Sequence, residues 1–539
     1  MVNRIAALLG RISGLIGRFS AWRSRLNTSM RTRYSPNRLA GIVTAVCGAL
    51  AVLILFVPNY LGMGNDSVAY EKMGIYRLAY LEKDLEDFGG AENAFFTRVY
   101  ALSALERGAE FSIQGALVSF AKALDWFFTQ DRLFDIRFLA FLYLILYLPG
   151  VFLVVKAALE RVKNFSESLV LAVLGGIIFS DITYVAYFNS LYPDALLFIL
   201  LLYMAGCALL LHRESGAQNL YALLLGLASV GFSLAVRRGY LGGVVMAFFM
   251  LMQLRHVAGR GDRALYVTVT TMMLMATVIS FLSVKSEFDD TGKYHAMTRG
   301  VLLQSDNPAR ALEGMGIDVS YSVLAEDSLY AYYPTTQLSN PLIEQEFLGR
   351  YSQSDIALYY VSHPGSLLAM WDLGVKAAVN LRRDYCGNYE YSVGMPPMSK
   401  SLMCSVWSIF KQRSAPKTIG YVLVLLIAVF LTTGKKLFVR RAHATRWEYT
   451  HFMTCVCLLT TGMADMTYVI MHSGDAQLIQ YNIVLGAVLD ILLYFVAAEL
   501  LHHLNVLEED RGIEGRGKEG IKKAAWHGRK AENEPRQGV

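Results

Sequence analysis

Long apolar runs dominate the chain. Ten stretches approach the roughly 20 residues that cross about 30 Å of hydrocarbon: 40–58, 138–155, 168–187, 194–211, 220–236, 240–254, 265–284, 418–434, 449–470 and 478–500. The pair 220–236 and 240–254 is short enough to be one re-entrant hairpin. Between the runs lie two long polar segments, 59–137 and 285–417. In the first, AENAFFTRVYALSALERGAEF and SIQGALVSFAKALDWFFTQDRLFDI carry helical periods. Phe95, Val99, Leu102 and Leu105 share one face; Leu117, Phe120, Leu124 and Phe127 share another. The pattern predicts two juxtamembrane helices. The second segment reads as mostly helical, with Asp306 or Asn307 capping a helix opened by Pro308, and a new helix starting at Pro364.

The expectation is therefore an all-α polytopic membrane protein of about ten transmembrane helices with a mostly helical outer domain. It divides into a basic amphipathic segment (1–39), a transmembrane module (40–284) that includes the first outer loop 59–137, an extracytoplasmic domain (285–417), C-terminal transmembrane helices (418–504) and a charged, Gly-rich tail (505–539). Composition agrees: 54% of residues are hydrophobic and 17% charged, against about 25% charged in soluble chains. This excludes a soluble enzyme, a disordered chain and a disulfide scaffold.

The net charge of +6 is unevenly spread. The first 39 residues hold eight Arg, and no acid precedes Asp66. With that end in the cytoplasm, the short cytoplasmic loops carry 3, 1, 3 and 5 Lys or Arg, and the short outer loops 0, 2 and 0. The positive-inside rule then predicts both termini in the cytoplasm. Arg4, Arg11, Arg18 and Arg25, at seven-residue spacing, predict a helix on anionic lipid; a transit peptide is the alternative. Cys386 and Cys404 fall in the same outer segment and leave open a disulfide or two separate thiols. The tail sequence GIEGRGKEG lacks the strand and helix that a phosphate-binding loop needs.

Ionisable groups at membrane depth are costly and mark function by default. Here they gather at the outer ends of spans: Asp66 just after the first, Asp181 in the third, Asp194 opening the fourth, Asp465 and His472 at the ninth, and the pair Arg237–Arg238 in a short outer loop. Asp490 alone sits mid-span. Arginine grips phosphate through a planar fork, and a carboxylate can take a hydroxyl proton or hold a divalent metal. Plainer roles stand beside these: Asp66 as a helix cap, Asp194 as a dipole partner, Arg237 and Arg238 as snorkelling groups, Asp181 and Asp465 as ion-pair partners, and His363 as a structural residue at the His363-Pro364 break.

An acid soon after the first span, interfacial helices and the motif YFNSLYPDALLF (residues 187–198) resemble the GT-C class of membrane glycosyltransferases, whose bacterial members often carry Phe-Asn-Ser-Phe-Tyr followed by an acid. YHAMTRGVLLQSDNPARALEGMGI, YYVSHPGSLLAMW and CGNYEY also resemble uncharacterised bacterial proteins of that kind. The resemblance spans about residues 40–420. It implies hexosyl or pentosyl transfer from a polyprenyl-phosphate-linked donor to a glycan, lipid or protein acceptor outside a bacterial inner membrane, with no nucleic acid involved. Asp66 would be the catalytic base; Asp194, Arg237, Arg238, Asp181, Asn189, Tyr192 and His363 would line the substrate site. A divalent cation, Mg or Mn, held by Asp66 and Asp194 is the one cofactor it allows. Two features depart from the class pattern: Asp66 lacks the paired acid that many members carry, Glu71 following only five residues on, and Asp stands at 194 where Glu is expected. A flippase for lipid-linked sugars and a glycan polymerase or ligase are the alternatives.

Overall fold

In the computed structural model, described for residues 34–82, 95–103, 111–212, 217–284, 286, 288–329, 338, 340–380, 382–439 and 445–503, helices fill all ten apolar stretches. They are α1 (Pro36–Leu55), α4 (Arg137–Leu159), α5 (Phe165–Phe179) continued by Ile182–Asn189, α6 (Asp194–Leu210), α7 (Gln218–Ala235), α8 (Gly239–Gln253), α9 (Arg260–Ser283), α13 (Ile419–Phe438), α14 (Arg446–Ser473) and α15 (Ile483–His503). Seven of these are long and apolar enough to cross a bilayer singly, and the α5 pair, bent by 41°, makes an eighth. The remaining two, α6 and α8, are shorter, at 17 and 15 residues. The fold is all-α and polytopic. The basic segment before residue 34 and the tail after 503 lie outside the described residues.

Local chemistry sets the breaks. Ser35 caps α1, and Pro36 occupies its first turn, where a missing N–H costs nothing. The α5 pair bends at Ser180–Asp181: Ser180 Oγ returns its proton to the Gly176 carbonyl at 2.6 Å, and Asp181 accepts from Thr183 N at 2.9 Å to open the next helix. At the heart of the bundle α6 is buried almost all round. Gly206 lets it approach α4 backbone to backbone; a Cβ there would stand 2.8 Å from the Leu153 carbonyl carbon.

The polar segments meet at one end of the bundle, termed here the loop end. The first contains α2 (Ser67–Ile75) and α3 (Ile113–Thr129). The helix expected around Phe95–Leu105 is not formed at Val99–Leu102, which is strand β3 between β2 (Leu78–Ala79) and β4 (Leu133–Asp135). β-Branched and aromatic side chains favour this pairing; Tyr100 stacks on Tyr80 at 6.4 Å. The two polar segments are joined by β1 (Leu61–Met63) running antiparallel to β5 (Cys386–Tyr389). Arg98 adds a bridge, reaching Glu390 at 3.3 Å and Asp135 at 3.4 Å. The second segment also supplies α10 (Gln353–Ser362), α11 (Pro364–Val379) and α12 (Val406–Ser414). Asn307 caps the helix opened by Pro308, and His363 separates α10 from α11. Cys386 and Cys404 are free thiols.

Helix α12 is locked into the bundle. Ser408 N donates to Asp181 Oδ2 at 2.8 Å. Lys411 Nζ sits 2.9 and 2.8 Å from the two oxygens of Asp490, which also accepts from Trp407 Nε1 and Tyr184 Oη. Every member of this network is buried. A buried pair gains little over a well-packed apolar pair, but removing one partner strands the other. Asp490→Asn should therefore cost about 3–5 kcal/mol, read by denaturant unfolding in micelles, and the double change Lys411→Met/Asp490→Asn, which removes the stranded cation and keeps an acceptor for Trp407 and Tyr184, should recover most of it. An unchanged midpoint for Asp490→Asn would contradict the account.

Candidate active site

Asp66 is held twice. It caps α2, its Oδ1 accepting from Ala69 N at 2.9 Å, and the same oxygen accepts a short hydrogen bond from the Tyr192 hydroxyl. Asp66 is partly exposed, whereas Tyr192 is buried. Burial first, then the charge of Asp66, raise the Tyr192 pKa well above the ordinary phenol value, so the hydroxyl keeps its proton and remains a donor. The cap sits where a helix N-terminus favours negative charge.

Asp194 lies two residues on, at the start of α6, with no exposed surface. Neither carboxylate oxygen has a hydrogen-bond partner among the described residues. A bare buried charge is prohibitive unless opposite charge stands near. The cations acting on it are Arg383 first, then Arg238 and Lys72.

Arg383 was absent from the sequence-derived candidates. It lies in the turn between α11 and β5, closed by Cys386 N donating to the Arg383 carbonyl at 3.2 Å. Its Cζ stands 5.3 Å from the ring centre of Tyr187 and 5.8 Å from that of Tyr192, within cation–π range. Nη2 donates to the Gln480 carbonyl, while buried Nη1 has no hydrogen-bond partner among the described residues. Burial pulls the guanidinium pKa down, but Tyr187, Asp194, Tyr192 and Asp66 together raise it above its ordinary value, so it stays charged. One arginine thus answers both acids.

Asn189 serves the walls of the site: its Nδ2 donates to the Leu55 and Leu61 carbonyls at 3.2 and 2.9 Å, tying the end of α1 and the start of β1 to the motif. Gly62 is required beside it, since a Cβ would stand 2.8 Å from the Asn189 carbonyl oxygen. Asp181 is committed to Thr183 and Ser408. Arg238, fully buried, pairs with Asp465 at 3.3 Å and lies over Tyr481. Arg237 turns the other way, its Cζ 5.4 Å from the centre of the Phe281 ring on α9. His363 stacks on Tyr359 at 4.3 Å and lines a separate cleft of about 710 Å³ with Asp306, Arg310, Arg350 and Asp355. None of Asp66, Tyr192, Asp194 or Arg383 lines that cleft.

The geometry therefore gathers Asp66, Tyr192, Asp194 and Arg383, with Lys72 and Arg238 near Asp194. A sequence profile described as the YfdI N-terminal transmembrane domain matches residues 26–523. The chain belongs to that family. As its description states, this is a transmembrane domain, and the protein is an integral membrane protein. A comparison with curated proteins gives no match. Two solved structures of the Archaeoglobus fulgidus oligosaccharyltransferase show limited likeness, both at 11% identity. One is AglB in complex with an inhibitory peptide and a dolichol-phosphate: TM-score 0.37, covering 90% of this chain and 52% of that one. The other is the apo form: TM-score 0.38, covering 88% and 52%. This family member spans about half the length of each.

The coupling between Asp194 and Arg383 is measurable. In a double-mutant cycle of Asp194→Asn and Arg383→Ala, unfolding free energies should show about 0.5–3 kcal/mol of interaction. Strictly additive effects would contradict the pairing.

Proposed function

We propose that this YfdI-family protein is a GT-C-type glycosyltransferase that moves a sugar from a polyprenyl-phosphate-linked donor to an acceptor hydroxyl at the loop end, on the extracytoplasmic face of a bacterial inner membrane. The observation that carries the reading is the convergence of an accessible, oriented carboxylate, Asp66, with a buried, permanently charged arginine, Arg383, at the membrane boundary. Transfer needs a base for the acceptor and charge compensation for the departing phosphate.

In this reading the acceptor oxygen attacks the anomeric carbon as the carbon–oxygen bond to phosphate breaks, through an oxocarbenium-like state. The acceptor proton passes to Asp66, whose free rotation is removed by Tyr192 and the α2 cap. The bond electrons leave with the polyprenyl phosphate, whose negative charge faces Arg383 Nη1. The nearby charge of Asp194 helps to keep Arg383 cationic. No nucleotide-binding domain is needed, because the sugar arrives activated on a lipid.

The same two carboxylates are the ones that would take a divalent cation. Mg²⁺ is commonly bound through one or two carboxylates plus substrate phosphate, and Asp194 offers two buried oxygens without hydrogen-bond partners. Asp66 and Asp194 would hold it, and it would supply charge neutralisation at the phosphate.

Asp66→Asn is the informative variant, because Asn caps a helix as well as Asp and can still accept from Tyr192. Full-length protein in vesicles, given a labelled polyprenyl-phosphate sugar and envelope extract as acceptor, should lose transfer by about 10²–10⁴-fold in this variant with its unfolding midpoint retained. Undiminished transfer would refute Asp66 as base; donor binding without transfer by the wild type would favour a flippase. Chelation by EDTA, with Mg²⁺ or Mn²⁺ restored afterwards, should abolish and then recover transfer; transfer unchanged by chelation would rule the cation out.

A further inference from the structure

A second cationic feature lies away from Asp66, at the far end of α2. The helix has nine residues, so its two ends are about 13 Å apart. Where it stops, a cavity of about 420 Å³ opens between Tyr76–Arg77 and the near half of α3, lined by Arg77, Ser112, Ser119, Lys122 and Phe111 among others. Lys122 Nζ donates to the Tyr76 carbonyl at 2.9 Å, which fixes the ammonium at the wall. Arg77 sits in a left-handed backbone conformation, φ 57°, with Ser103 N donating to its carbonyl at 2.9 Å. Burial, and then the charge of Arg77, lower the Lys122 pKa; an anion beside Lys122 would favour its ammonium form.

The surroundings identify the kind of anion. Helix α3 buries Gln114, Val118, Ala121 and Asp125 against the protein. Its open side carries Phe120, Trp126, Phe127 and Phe128, each more than half exposed, and Phe111 stands exposed on the cavity's rim. Water does not favour such a row, whereas a membrane interface does. The row continues directly into a span: Phe128 stacks on Phe138 in the first turn of α4, centroids 6.2 Å apart, and exposed Phe141 and Ile145 follow along that helix. The exposed aromatic edge of α3 is thus continuous with the exposed apolar face of a helix long and apolar enough to cross a bilayer, and the cationic cavity opens beside that edge.

We infer that the cavity between α2 and α3 is a binding site for the headgroup of an anionic glycerophospholipid, its phosphate between Arg77 and Lys122 and its acyl chains along the exposed aromatics of α3 and α4. The site is separate from the proposed donor phosphate site, being at the opposite end of α2, and does not depend on the transfer reaction.

The test uses full-length protein in nanodiscs of phosphatidylcholine containing a minor fraction of phosphatidylglycerol, followed by native mass spectrometry of the lipids retained. The wild type should keep phosphatidylglycerol in excess over its bulk fraction. Lys122→Gln and Arg77→Asn, the latter suited to the left-handed conformation, should each reduce that excess about fivefold, with retained phosphatidylcholine unchanged. Equal retention by wild type and both variants, or no preference in the wild type, overturns the proposal. If Lys122→Gln lowers the unfolding midpoint, Arg77→Asn decides, since it leaves the Lys122–Tyr76 bond in place. Millimolar glycerol 3-phosphate should not displace the lipid; displacement would make this a site for a soluble phosphate and would overturn the lipid assignment.

Discussion

The arrangement turns on the burial of one carboxylate. Asp194 has no exposed surface and no hydrogen bond to either oxygen among the described residues, and Arg383 is the first of the three cations, with Arg238 and Lys72, whose charge favours its carboxylate form. The 380–390 turn that brings Arg383 there is held by the bond from Arg383 Nη2 to the Gln480 carbonyl and by the β1–β5 ladder that follows. Once there, the guanidinium faces Tyr187 and Tyr192 and feels Asp66 as well. A structural requirement at the start of α6 thereby assembles a site with chemical potential.

The rest of the loop end can be understood as scaffolding for that placement. The β1–β5 pairing, Asn189's two bonds to the Leu55 and Leu61 carbonyls, and the Arg98–Glu390 bridge tie residues far apart in the chain into one wall. From the other side, α12 is fastened through Asp181 to the bend after α5 and through Lys411 to Asp490. Several acids that look functional in a membrane sequence are spent on these joints. The cost of burying an ionisable group marks it as purposeful without saying whether the purpose is chemistry or assembly.

How much of this was legible in the sequence follows from range. The spans were, because hydrocarbon thickness imposes a run length that local composition reveals; even the bend of the third span is encoded locally in Ser180–Asp181. Asp66 and the Asn189–Asp194 motif were legible as candidates, and the alternative role of Asp66 as a helix cap proved to be part of its geometry. The strand at Val99–Leu102 was not, because four residues of strand rest on partners at 78–79 and 133–135 rather than on their own period. Arg383 was not either: it is one of two adjacent arginines after a helix, and its value comes from Tyr187, Tyr192 and Asp194, nearly two hundred positions away. Nothing local separates it from Arg382, whose guanidinium bonds the Ser401 carbonyl, just as nothing local separates Arg238, paired with Asp465, from Arg237.

The most direct measurement is equilibrium binding of a sugar-free polyprenyl phosphate to purified full-length protein, comparing wild type with Arg383→Lys and Arg383→Met. If the guanidinium receives the donor phosphate, lysine should weaken binding by about tenfold and methionine by more, while the unfolding midpoint of the lysine variant stays near that of the wild type. Affinity for the lipid phosphate that is the same in all three proteins would contradict the account at its centre.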